Sequence, residues 1–272
     1  MATSDIWAHF RQNYFMADRL PEYRQLLMTI LERGYRFMPM ADFARLVRGR
    51  NPLEGRLALL RIDVDSDPRG AARMFEVERE LGIRSTYYFR LSTIDVALIG
   101  RMTQHGTEVG YHFEEASNLA RRRGIRSAAE VERCRDILRE DFRENVTLFG
   151  KRAGVTPLTV AAHGDFLNRK LGISNNFFID DALLDELGII AEAYQKWLVS
   201  RVVARIADRP PPQNWQPQPP EEVLKNTPAV LLLVMHPRQW VRNPRANACA
   251  DIDRVWAETE YRLKRLRAGR SG

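Results

Sequence analysis

The sequence is short of cysteine and histidine, with two of the first and five of the second in 272 residues. It also lacks any apolar run approaching the ~20 residues a membrane span needs. Cys134 and Cys249 lie far apart in helix-like segments, which argues against a disulfide framework and leaves both expected to be reduced and structural. The first fifteen residues, M-A-T-S-D-I-W-A-H-F-R-Q-N-Y-F, hold no basic segment leading into an apolar one, so no secretory leader is read there and a cytoplasmic location is expected. No internal repeat is present, and the one biased tract is Pro210 to Pro220, read as a rigid surface loop. The formal net charge is +7. Its arginines are spread along the chain, with dense clusters only at Arg121 to Arg123 and Arg262 to Arg270 and no aromatic platform between them. That pattern describes a solvated surface, and nucleic acid is not expected as a partner.

What the chain does have is an alternation of short apolar runs and amphipathic segments joined at glycines. Leu20 to Gly34 reads as a helix with proline near its start and glycine after its end, Tyr35 to Met38 as a short strand and Ala41 to Val47 as a helix. Strands follow at Leu57 to Asp67, Ser85 to Leu91 and Thr107 to Phe113, separated by helices at Arg69 to Leu81 and Ile94 to Gln104. Arg126 to Asn145 reads as one long helix. Leu158 to Ala162, Gly188 to Ala193 and Leu198 to Ile206 are further apolar runs, and Ala229 to Met235 is a strand covered on both faces. Asp251 to Leu266 closes the chain as a helix. Such alternation predicts βαβ units and a parallel sheet or barrel.

The polar residues that stand out fall at strand ends. In L-A-L-L-R-I-D-V-D-S-D, strand alternation puts Arg61, Asp63 and Asp65 on one face. His112, His163 and His236 end three other predicted strands, the edge at which parallel α/β folds assemble active sites. Aspartate and histidine together suit a divalent metal such as zinc with a position open for water, equipment for hydrolysing an amide or ester. A spare carboxylate would take the water's proton and a histidine opposite would protonate the leaving amine.

The ordered pieces R-I-D-V-D (61–65), S-T-Y-Y-F (85–89), E-V-G-Y-H-F-E (108–114), A-A-H-G (161–164), A-D-R-P-P-P-Q-N-W (207–215) and L-L-L-V-M-H-P (231–237) resemble the polysaccharide deacetylase superfamily with its NodB-like homology domain. More narrowly, they are similar to the divergent branch with Asp-Val-Asp in its first motif, associated with surface-polysaccharide gene clusters. The resemblance covers roughly residues 55 to 240. It implies an α/β fold, a distorted (β/α)7 barrel with an N-terminal helical extension over residues 1–54 and a C-terminal helix in 241–272. It implies Asp63 as catalytic base, Asp65 and His112 as metal ligands, His236 as general acid and Asp208 as the aspartate that tunes it. The superfamily's second motif has two histidines four apart, and here the second position is Ala116. His163 is the expected third ligand, with Glu114 or Glu115 as the fallback. Arg61 is expected to replace the arginine that usually partners the base, and Arg90 either meets an anionic substrate group or forms a surface ion pair. The expected activity is zinc-dependent N-deacetylation of an acetamido sugar. The alternatives are a glycan-binding protein without catalysis and a hydrolase of non-sugar amides.

Overall fold

In a computed structural model of the chain, residues 10, 11, 14, 15, 17–210 and 214–268 are described. In chain order the elements are α1 (Leu20–Glu32), β1 (Tyr35–Phe37), α2 (Met40–Arg48), β2 (Arg56–Val64), α3 (Pro68–Glu80), β3 (Thr86–Phe89), α4 (Val96–Gln104) and β4 (Glu108–Phe113). Next come α5 (Glu115–Arg123), α6 (Ala128–Glu132), α7 (Arg135–Ala153), β5 (Thr159–Ala162), α8 (Phe166–Leu171), α9 (Asp181–Glu186), β6 (Ala191–Glu192), α10 (Lys196–Val199) and β7 (Ala204–Asp208). The chain closes with β8 (Trp215–Gln216), α11 (Pro220–Lys225), β9 (Val230–Met235), α12 (Pro237–Trp240) and α13 (Pro244–Ala268).

The sheet runs β6-β5-β4-β3-β2-β9-β7-β8, with β1 added beside β2. Eight of these nine strands pair parallel with a neighbour, and only β8 pairs solely antiparallel. From β2 to β6 they follow chain order, and β9 and β7 close in on the other side of β2, which is barrel order. No pairing joins β6 to β7 among the described residues, so the α/β sheet curls into a barrel left open along that seam.

Alternation sorts the strand residues into two cores. Ala58, Leu60, Ile62 and Val64 point outward into the layer covered by helices, with Met74, Phe75, Phe113 and Phe142. Leu57 and Leu59 point inward with Tyr88, Ala161, Ala191, Ala207, Leu232 and Val234. Met40, Phe43 and Ala44 of α2 belong to this inner cluster. The N-terminal extension therefore does more than decorate the barrel: one strand joins the sheet and one helix packs its apolar face against the interior at the end where the strands begin. Gly110 on β4 is required inside, because a Cβ there would meet the Tyr88 ring and the Thr159 carbonyl at 2.5 Å.

Several expectations need correcting. The helix expected over Arg126 to Asn145 is two, α6 and α7. The Ser127 side chain caps the first by accepting from the Glu130 N–H, the chain turns at Arg133 and Cys134, and the second runs on to Gly154, whose φ of 72° ends it. Leu198 to Ile206 divides into the end of α10 and the start of β7. The last helix starts at Pro244, earlier than expected. The proline tract is partly sheet, since Trp215 and Gln216 pair antiparallel with Asp208 and Ala207; its residues 211–213 lie outside the described residues, as does most of the N-terminal stretch read for a leader. Helices α5, α8 and α9 carried no sequence expectation. Both cysteines are free. Arg121 pairs with Glu260 at 3.5 Å and Arg122 with Asp141 at 2.7 Å. No helix among the described residues is long and apolar enough to cross a membrane.

Candidate active site

Three acids crowd the end of β2, and each has a separate task. Asp63 is the last inward-facing residue of the strand. Arg61, one inward position earlier, is buried and donates to both of its carboxylate oxygens, Nε to Oδ1 at 2.7 Å and an Nη to Oδ2 at 2.8 Å. Burial opposes the Asp63 charge, but the guanidinium beside it outweighs burial and holds the carboxyl below its usual range. Asp67 caps α3, accepting from the Gly70 N–H at 2.9 Å. Asp65 lies between, in the turn after the strand. Its backbone is fixed by the Arg90 guanidinium on its carbonyl at 2.9 Å, and the Thr93 hydroxyl holds the Val64 carbonyl at 2.8 Å.

His112 and His163 arrive from β4 and from the turn after β5. His112 Nδ1 lies 2.9 Å from the Ala161 carbonyl oxygen, which can only accept, so Nδ1 carries a proton and Nε2 is the ring nitrogen turned toward Asp65. Nε2 stands 3.2 Å from Asp65 Oδ1. His163 Nε2 lies 3.5 Å from the same oxygen, and the two imidazole rings are nearly perpendicular. Asp65 Oδ1 is buried without a hydrogen-bond partner. One carboxylate oxygen and two imidazole nitrogens, all atoms of metal-ligating type, thus converge on one point. Ligands about 2.1 Å from a tetrahedral zinc stand roughly 3.4 Å apart, which brackets both contacts to Asp65. The Asp65, His112 and His163 donor set therefore fits a divalent metal, with nitrogen and carboxylate ligands of the kind zinc takes.

On the other side stands His236, just after β9. Asp208 at the end of β7 accepts from its backbone N–H at 2.8 Å and from its ring Nδ1 at 2.6 Å. Burial works against the imidazolium, but Asp208 and then Asp65 and Asp63 outweigh burial, and the His236 pKa is pushed up to about 9. Its Nε2 is 3.9 Å from Asp63 Oδ2, which is itself 3.7 Å from His112 Nε2. Asp63 thus sits between the histidine pair and the lone imidazolium.

All seven expected residues, Arg61, Asp63, Asp65, His112, His163, Asp208 and His236, are brought to this one end of the barrel. The fallback ligands behave differently. Glu115 turns into the outer core, accepting from Tyr111 and Asn145, and burial raises its pKa to about 7. Glu114 is held on both oxygens by Arg90, so Arg90 forms an ion pair within the protein. Ala116 belongs to the outer core, so the position four after His112 does not face the site.

Sequence reasoning missed three contributors. Trp240 donates its indole N–H to Asp208 at 2.9 Å, and Tyr194 lays its half-exposed ring over Arg61 at 4.7 Å. Glu192 accepts from the Ala162 backbone beside His163. None stands in a motif, and only the position of Glu192 at the end of an apolar run gave a signal.

No protein-family model and no curated protein matches the chain. Two solved structures are similar to it in fold. The Streptococcus pyogenes deacetylase PplD in complex with acetate shares 9% identity over 88% of this chain and 90% of its own, with a TM-score of 0.47. IcaB from Ammonifex degensii shares 16% identity over 62% of this chain and 73% of its own, with a TM-score of 0.45.

Proposed function

We propose that the protein is a metal-dependent hydrolase that removes the acetyl group from an acetamido sugar. The observation that carries this reading is the convergence of His112 Nε2 and the orphaned Asp65 Oδ1, with His163 Nε2 completing the triangle. Asp65, His112 and His163 would hold a divalent metal, zinc by their donor set, and such an ion would supply polarisation of a carbonyl and a water of pKa about 7. The remaining groups divide the proton traffic. Asp63 is kept ionised by Arg61, so it accepts the proton of the attacking water. His236 is kept protonated by Asp208, so it delivers a proton to the departing amine. Two groups whose surroundings push their pKa values apart, facing each other across a gap, are the arrangement an acid–base pair needs.

The resemblance in motif order supports an N-acetyl sugar as the amide. Tyr194 adds to it, because the face of its half-exposed ring turned away from Arg61 offers a flat apolar surface for a pyranose. The chemistry is assigned to residues 55–240, with 1–54 and 241–272 as additions to one catalytic-type unit. A binding protein without chemistry would draw on the missing histidine at Ala116, but it has no use for an ionised base facing a protonated acid.

The test is acetate release from a panel of acetamido sugars and simple non-sugar amides, before and after chelation. Activity on the sugars that is lost on chelation, restored by zinc, and absent in Asp65→Ala and His112→Ala supports the proposal. Activity untouched by chelation or by those substitutions overturns it, and release from the simple amides alone moves the substrate class.

A further inference from the structure

His163 occupies a turn, yet the metal reading asks it to match the rigidity of a strand residue. What holds it is a side chain from forty-odd Ångströms of chain length away. Asn175 is buried, at 2% exposure, in the connection between α8 and α9. Its amide donates one proton to the His163 carbonyl and the other to Asn168 Oδ1, at 3.1 Å for the second. Asn168 Oδ1 in turn accepts from the Asp165 N–H at 2.9 Å, so both flanks of Gly164 are tied to one pair of amides. The side-chain oxygen Oδ1 of Asn175 accepts from the Ser117 N–H at 3.0 Å. Ser117 lies in the first turn of α5, where an N–H has no partner within the helix.

We propose that Asn175 is the positioning residue that allows His163 to serve as the third metal ligand in place of a histidine at position 116. It joins the turn that carries His163 to the helix turn that carries Ala116. The strand side of the turn is fixed separately, by the His163 N–H on the Phe113 carbonyl at 2.8 Å. With that bond alone the turn is pinned at one point, and the ring is free to swing about it; the Asn175 bond to the following carbonyl removes that freedom. All three bonds use one planar amide that needs two donors and an acceptor in a fixed arrangement, which no smaller polar side chain supplies. The inference rests on the metal reading above and adds to it the reason why the one histidine of β4 suffices without a second on α5.

The experiment measures zinc affinity by chelator competition and the cobalt(II) visible spectrum in wild type, His163→Ala, Asn175→Ala and Asn175→Asp. Asn175→Asp keeps the volume and the acceptor for Ser117 but cannot donate to the His163 carbonyl, so it carries the test if the alanine variant fails to fold. Removal of a group that orients a ligand costs about 10–100-fold in metal affinity, and both Asn175 variants are expected to lose that much and to take on the cobalt spectrum of His163→Ala. Phe149→Leu, a control in the outer core, is expected to keep wild-type affinity and spectrum while lowering the melting temperature. Wild-type affinity and spectrum in Asn175→Asp overturn this inference alone. A wild-type protein that binds no metal overturns the metal reading and this inference with it.

Discussion

Asp208 grips His236 at two points, its Oδ1 on the ring Nδ1 at 2.6 Å and its Oδ2 on the backbone N–H at 2.8 Å, while Trp240 donates to the same Oδ2. The carboxylate therefore fixes both the orientation and the charge of the ring. His236 has a raised pKa of about 9, so the protonated form a general acid requires is complete at neutral pH and lost as pH rises through that value. The alkaline limb of the rate is expected there. In Asp208→Asn the ring loses its main charge partner, so the limb shifts to lower pH and the rate falls. His236→Ala is expected to lose about 10²–10⁴-fold. A pH–rate profile of both variants checks this.

The Arg61–Asp63 pair is buried on both sides, with side chains 1% and 5% exposed. Breaking such a pair leaves an uncompensated buried charge, which costs about 3–5 kcal/mol. Arg61→Leu is expected to destabilise the fold by that order in urea titrations. It also raises the Asp63 pKa, because the main charge opposing burial is gone and only His112 and His236 still oppose it, so any remaining activity moves its acid limb to higher pH. Asp63→Asn should abolish activity while the metal still binds.

Glu78 is another buried carboxyl, accepting from Tyr23 and Tyr87 on Oε1 at 2.6 Å each and from Ser85 on Oε2 at 2.5 Å. Burial raises its pKa from the ordinary 4.5 to about 7 against those hydrogen bonds. With the folded value the higher one, its contribution to stability is complete below about 4.5 and is lost as pH rises through about 7. Glu78→Gln retains the two tyrosine bonds and lets its amide meet Ser85. The variant is expected to be more stable than wild type at pH 8, by roughly 1–3 kcal/mol, with the difference vanishing near pH 4. Melting curves across that range decide it.

Ala116 marks the position of the absent histidine, and it is fully buried against the outer core. Restoring the residue by Ala116→His should not add a ligand. It should overpack the helix layer and cost about 1–3 kcal/mol, with metal affinity unchanged or lower. A gain in metal affinity would show that the helix can turn this position toward the site.

Much of this was legible because strand ends announce themselves: an apolar run that stops at Asp63, His112, Ala162–His163 or Met235–His236 places the polar residue at one edge whatever the details. Leu57 to Val64 reads correctly for the same reason, since alternation separates Arg61 and Asp63 from Leu60 and Ile62. The illegible parts depend on contacts between distant segments. Nothing local ties Asn175 to His163 or Trp240 to Asp208. Helices α8 and α9 have six residues each, too short for an apolar period to emerge. The break at Arg133 was hidden because the charged residues on either side share one helical pattern, and tertiary packing set the boundary.

X-ray absorption at the zinc edge of the loaded protein decides whether His112, His163 and Asp65 share one metal. One zinc per chain is expected, with two imidazoles and oxygen donors at about 2.0–2.1 Å, and the signal of a single imidazole in His163→Ala. A wild-type protein that takes up no stoichiometric zinc, or a spectrum unchanged by His163→Ala, would contradict it.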